Sequence, residues 1–226
     1  LNIPYGDHPR EKYDMFLPKK QSRGTIIFLH GGFWFRTGRE HWSFTAQGIL
    51  SQNWSVIIPS YPQAPDVKIT QITHSISELV YKILDDCNGS VRMIGHSAGG
   101  HLASRMICKN FLKKNIGKHI DKVISVSGLY DLRPLLMTKL NDILRLNYEE
   151  AVHESCFLYD PIDTKLTCWV GANERPEFLR QNRILTEAWS KKSKNIESYY
   201  DPGKDHFSVI NQLEDKESLL TQSITK

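Results

Sequence analysis

Met93-Ile94-Gly95-His96-Ser97-Ala98-Gly99-Gly100-His101 places a serine two residues from a glycine on each side. The apolar run "VRMI" (91–94) precedes it, and "AGGHLASRMICKNFL" (98–112) follows with helical character. The Gly-x-Ser-x-Gly pattern is common by chance, so its context decides the reading. A buried strand that runs straight into a helix through such a serine is a nucleophile elbow. The sharp turn strains Ser97 and demands tiny neighbours, which Gly95 and Gly99 supply. The helix N-terminus turns its free N–H groups toward developing negative charge. A glycine-rich strand-to-helix turn without chemistry is the alternative.

Working outward, apolar β-branched runs alternate with longer helical stretches. Strands are expected at 25–30 ("TIIFLH"), 54–60 ("WSVIIPS"), 91–96, 122–128 ("KVISVSG") and 166–171 ("LTCWVG"), with a weaker sixth at 196–201 ("IESYYD"). Helices are expected at about 40–52, 70–86, 98–112, 176–193 and 208–220. This alternation predicts an α/β fold, a mostly parallel sheet with helices on both faces. The stretch 131–160 is helical in pattern, longer than one crossover needs, and is expected to cap the sheet edge that carries the site. A length of 226 residues suits one domain spanning 1–226.

Composition narrows the function classes. The net charge of +4 is mild and its basic residues are scattered, with short clusters such as Lys113-Lys114 and Lys191-Lys192, which disfavours nucleic acid as a partner. No apolar run approaches the roughly 20 residues of a membrane span, so no membrane partner is expected. Cys87, Cys108, Cys156 and Cys168 form no CxxC and no zinc spacing. They read as reduced thiols in a cytoplasmic protein, with no metal and no cofactor. Oligomeric state is open, a homodimer included. The chain begins at Leu1, so a truncated N-terminus lacking a first edge strand is an expectation.

A serine nucleophile needs an oxyanion hole, a base and an acid. Strand 25–30 runs into His30-Gly31-Gly32-Phe33-Trp34, whose glycines let backbone N–H groups approach a ligand. Gly31, Gly32 and Phe33, with the N–H of Ala98, are therefore the expected oxyanion hole. His206, in the polar turn "YDPGKDHF" (200–207) after the last strand, is the expected base and the most C-terminal of the nine histidines. The acid should follow a strand between them in the order Ser, acid, His. Glu174, after "LTCWVG", is the candidate, and Asp205 is the fallback.

With these pieces placed, the chain resembles the α/β-hydrolase superfamily and, more narrowly, the animal-type kynurenine formamidases (arylformamidases) and their esterase relatives. The resemblance rests on "YGDHPREKYDMFLP" (5–18), "HGGFW" (30–34), "SYPQAP" (60–65), "GHSAGGHLA" (95–103), "SGLYDLRPL" (127–135), "PEFLRQ" (176–181) and "DHF" (205–207). It implies Ser97 as nucleophile, His206 as base and Gly31-Gly32-Phe33 with Ala98 as oxyanion hole. At the acid position the family usually carries Asp, and this chain carries Glu174. The implied substrate is N-formyl-L-kynurenine, released as kynurenine and formate. Trp34, Phe35, Tyr61 and Tyr130, with Phe33 and Trp42, are then expected to stack against the aryl group at the mouth. Arg36, Arg39 and Arg133 are candidates for its carboxylate. A general short-chain carboxylesterase shares every one of these residues, and a non-catalytic α/β-hydrolase relative that binds a ligand is the reading from another class. A lipase is disfavoured because no long apolar lid segment is present.

Overall fold

The computed structural model describes residues 1–87, 89–111 and 119–226. Lys113-Lys114 and the last residue of the helical stretch 98–112 lie outside the described residues. Among the described residues eight strands form one sheet: β1 (Ile3–Pro4), β2 (Lys12–Phe16), β3 (Gly24–Leu29), β4 (Ser55–Pro59), β5 (Ser90–His96), β6 (Ile120–Val126), β7 (Lys165–Gly171) and β8 (Ile196–Asp201). Their order is β1-β2-β4-β3-β5-β6-β7-β8. β1 and β2 are antiparallel additions, and β4, β3, β5, β6, β7 and β8 run parallel.

The first two strands correct the expectation of a missing edge. "KYDMF" pairs Tyr13 with Pro59 and Phe16 with Val56 along β4. It is a short charged strand next to the sheet edge, flanked on its outer side only by the two-residue β1, with one side chain buried among half-buried ones. That composition weakens the apolar signal of a strand while suiting the margin of a sheet.

The sheet strands alternate faces. Ile27, Leu29, Ile57, Val91, Met93 and Val123 join one core cluster, whereas Ile26, Phe28, Val56, Ile58, Ile94 and Ile124 join the other. The first face is covered by α2 (Ile69–Asp86), α3 (Ala98–Arg105) and α6 (Pro176–Ser190) through Ile72, Leu102 and Trp189. The second is covered by α1 (Ala46–Ser51) and α7 (Leu219–Thr225) through Ile49 and Ile224. Burial on both faces explains why these strands read as continuous apolar runs.

The stretch 131–160 holds two short helices, α4 (Asn141–Leu144) and α5 (Tyr148–His153), between 3₁₀ turns at Arg133–Met137 and Cys156–Leu158. It is tied to α2, where Glu150 Oε1 accepts from the N–H and hydroxyl of Thr70 at 3.1 and 3.2 Å. Gln181 of α6 ties it from another side, accepting the N–H groups of Tyr130 and Asp131 at 2.7 and 2.9 Å. Cys108, Cys156 and Cys168 are buried and Cys87 half-buried, all as free thiols. Burial pushes Cys168 up to about 12, which leaves it protonated and unreactive. Among the described residues no helix is long and apolar enough to cross a membrane, and no cluster of His, Cys, Asp and Glu could hold a metal ion.

Candidate active site

Because β3, β5, β6, β7 and β8 are parallel, the segments leaving them gather at one sheet edge. The HGGFW loop, Ser97, Ser127, Glu174 and His206 all follow those strand ends, where open α/β sheets bind ligands.

Ser97 joins β5 to α3 with φ 56° and ψ −117°, a region costly for a residue with a Cβ. Its N–H is held by the Val126 carbonyl at 2.8 Å. The helix behind it packs so closely that a Cβ at Gly99 would lie 1.9 Å from the Leu29 carbonyl oxygen. Gly31 has the same role on the facing loop, where a Cβ would meet the Ser97 Cβ at 3.1 Å. The loop therefore runs directly against the nucleophile turn. Gly32, Phe33 and Trp34 carry positive φ in succession, 110°, 54° and 62°. Among the described residues no acceptor takes the N–H of Gly32 or Phe33. Ala98 opens α3, so its N–H has no intrahelical acceptor.

Glu174 is buried and saturated. Its Oε2 meets His206 Nδ1 at 2.7 Å, while Oε1 accepts from the Ser127 hydroxyl at 2.5 Å and from the Gly171 N–H at 2.9 Å. Asp205, the fallback, is turned away: its Oδ1 caps its own loop, accepting from the N–H groups of Phe207 and Ser208 at 3.0 and 2.8 Å. That loop holds His206 in place, and His96 Nε2–H donates to the His206 carbonyl at 2.8 Å. Burial pushes His96 down to about 3, so it stays neutral and serves as this donor. The His206 ring packs on His96 at 4.7 Å and on Phe178 at 4.2 Å between centroids. The imidazole thus lies over the residue that precedes Ser97, with its Nδ1 committed to a carboxylate. A strained serine, a carboxylate-held imidazole and free N–H groups on two sides form a constellation suited to acyl transfer.

The aromatic expectations divide. Phe33 and Phe35 are half-buried and stack at 6.1 Å. Trp34, Tyr61 and Tyr130 are fully buried, so their expected place at the mouth is corrected. Each instead holds backbone or core. Tyr61 stacks on His30 at 4.4 Å and its hydroxyl donates to the His30 carbonyl at 2.9 Å. Tyr130 donates to the Ser125 hydroxyl at 2.7 Å. Trp34 donates to His101. Among the arginines, Arg39 pairs with Asp14 at 3.2 Å and Arg133 with Asp131 at 2.8 Å, while Arg36 is exposed over the Phe35 ring. Ser127, His96 and Phe178 were not legible as site residues, although Ser127 opens the quoted "SGLYDLRPL".

A family model described as BD-FAE matches residues 13–167. A kynurenine formamidase of Salmo salar is 30% identical over the whole chain and 81% of its own length. The chain belongs to the BD-FAE family, as a kynurenine formamidase-type α/β-hydrolase. A crystal structure from Silicibacter sp. TM1040, provisionally described as a thioesterase, superposes with a TM-score of 0.95 at 40% identity. It covers 100% of this chain and 85% of that one. Esterase B from Lactobacillus rhamnosis, bound to a tributyrin phosphonate, superposes with a TM-score of 0.75 at 18% identity, over 99% of this chain and 81% of its own. That distance shows the α/β-hydrolase fold alone. The family membership makes the chain a hydrolase.

Proposed function

We propose that this hydrolase cleaves N-formyl-L-kynurenine to L-kynurenine and formate, with Ser97, His206 and Glu174 as its triad. The observation that carries the reading is the Glu174–His206 contact of 2.7 Å beside the strained Ser97 turn. Full-length similarity to a kynurenine formamidase supports the substrate. His206 Nε2 takes the Ser97 hydroxyl proton as the oxygen attacks the formyl carbon. Glu174 keeps Nδ1 protonated and offsets the positive charge that develops on the ring. The N–H groups of Ala98 and of the Gly31-Gly32-Phe33 segment stabilise the tetrahedral oxyanion, each such donor contributing about 10²–10³ in rate. The C–N bond breaks as His206 returns the proton to the aryl amine. Water, deprotonated by the same imidazole, then releases formate from Ser97. Phe33 and Phe35 offer the aryl group a stacking face. Buried free thiols suit a cytoplasmic setting.

A second reading, an esterase or thioesterase, is favoured by one finding: the provisionally named thioesterase is the more identical relative at 40%. The discriminating experiment compares kcat/KM on N-formyl-L-kynurenine, p-nitrophenyl acetate and a short acyl thioester, for the unmodified protein and Ser97→Ala. The formamidase reading predicts at least about 10⁴ M⁻¹s⁻¹ on the formamide, above both other substrates, and its loss in Ser97→Ala. Turnover confined to the ester or thioester would overturn the substrate and leave the triad.

A further inference from the structure

The HGGFW loop holds two residues with a Cβ, Phe33 and Trp34, in left-handed backbone, a conformation that persists only when its surroundings fix it. One of those fixings reaches the other half of the oxyanion hole. The fully buried Trp34 side chain donates Nε1–H to His101 Nδ1 at 3.3 Å, with the rings edge-on at 5.3 Å. His101 lies one turn into α3, and its own N–H bonds the Ser97 carbonyl at 3.1 Å. Indole N–H can only donate, so Nδ1 is the acceptor and Nε2 carries the proton. That Nε2–H donates to the Glu154 carbonyl at 2.9 Å. The Glu154 carboxylate is pinned in turn by Arg105 at 3.2 Å, Thr73 at 2.9 Å and His153 at 3.0 Å. Burial pushes His101 down to about 4, so the acceptor survives at neutral pH.

We propose that the Trp34–His101 hydrogen bond sets the spacing between the two halves of the oxyanion hole, making His101 a positioning residue for acyl transfer. The inference rests on the oxyanion roles proposed above for the Phe33 loop and Ala98. Neither Trp34 nor His101 touches the reacting atoms. Trp34 fixes the loop, His101 fixes Trp34 to the helix that carries Ser97 and Ala98, and Glu154 fixes the orientation of the imidazole. An error of about 1 Å in such a constellation is worth on the order of 10² in rate.

Two substitutions separate this role from plain support of the cap. His101→Asn puts an oxygen acceptor where Nδ1 sits and gives up the contact with Glu154. His101→Gln reaches the Glu154 carbonyl with an N–H and offers Trp34 no acceptor. The expected result is His101→Asn within about threefold of the unmodified kcat. His101→Gln and Trp34→Phe should each lose about 10–100-fold in kcat, with KM within about threefold. The double variant Trp34→Phe/His101→Gln should lose no more than Trp34→Phe alone, because the two act as one unit. Equal losses in the two His101 variants, a larger loss in His101→Asn, or multiplying losses in the double variant would overturn the proposal. A second measurement needs no variant. The Trp34 indole N–H resonance should shift when a phosphonate on Ser97 fills the oxyanion hole, and an unmoved resonance would count against the proposal. If only p-nitrophenyl acetate is turned over, the substrate assignment falls and the comparison is read on the ester. Absence of any Ser97-dependent turnover would overturn both.

Discussion

Glu174, the proposed triad acid, stands where the family resemblance implies Asp, and the structure shows what the extra methylene spans. One oxygen is anchored to Ser127 and Gly171 beneath the site, and the other reaches His206. Glu174→Asp shortens the side chain by about one C–C bond of 1.5 Å, so both sets of contacts cannot be kept. A kcat reduced about 10–100-fold with nearly unchanged KM is expected in steady-state assays. Glu174→Gln removes the charge that stabilises the imidazolium and should cost about 10³–10⁴. Ser127→Ala removes a hydroxyl bond to a carboxylate worth about 1.5–3 kcal/mol, and should lower kcat while the fold persists by circular dichroism. Ser97 and Glu174 stood out as candidates because each sits in a turn directly after an apolar strand, and His206 because it sits in a polar turn after the last strand. Ser127 did not, since a serine at a strand end carries no marker of the partner it will meet 47 residues later. Trp34, Tyr61 and Tyr130 misled for a related reason: an aromatic beside a glycine motif reads the same whether its ring turns to the mouth or to the core.

At the scale of elements, the inner parallel strands were legible in outline because burial on both faces makes each a continuous apolar run, whereas the exposed edge strand β8 gave a weaker signal. Helix ends were less so. The apolar stretch after Ser97 leaves the α-helix at Arg105 although its pattern continues. Cys108 forms an isolated β-bridge with Pro161, and Lys109 N–H donates to the Asp160 carbonyl, so this segment pairs with the chain leaving the cap. The stretch 208–220 resolves into a 3₁₀ turn, Ile210–Glu214, and α7, which Ser218 caps by accepting the Thr221 N–H at 3.1 Å. Leu213, Leu220 and Ile224 keep facing one core across that break, which is why a single helix was expected. Gln181, Arg180 and Trp189 tie α6 to the cap, and Gln181 alone takes two of its backbone N–H groups. Gln181→Leu strands two buried N–H groups, at about 1–3 kcal/mol each, so urea unfolding should show a loss of roughly 2–6 kcal/mol. A loss under about 1 kcal/mol would mean that water replaces the glutamine.

For the whole molecule, His30, His96 and His101 are buried neutral around the site, and burial pushes them down to about 4, about 3 and about 4. Each lies below the ordinary histidine value of about 6.5. As pH falls, the unfolded chain therefore takes up these protons first, and stability present above about pH 7 is lost on the way to the folded values. Between pH 7 and pH 5 the loss is on the order of 2 kcal/mol per histidine. Thermal melts should drop by roughly 10–20 °C over that interval, and a flat profile would show that these side chains are not held neutral. The central claim is that Ser97 is an activated nucleophile served by the His206–Glu174 pair. The most direct measurement is the rate and position of phosphonylation by a p-nitrophenyl alkylphosphonate, followed by intact mass and peptide mapping. The account predicts one adduct, on Ser97, formed at least about 10²-fold more slowly in folded His206→Ala. No adduct on the folded protein, an adduct elsewhere, or a rate indifferent to His206 would contradict it.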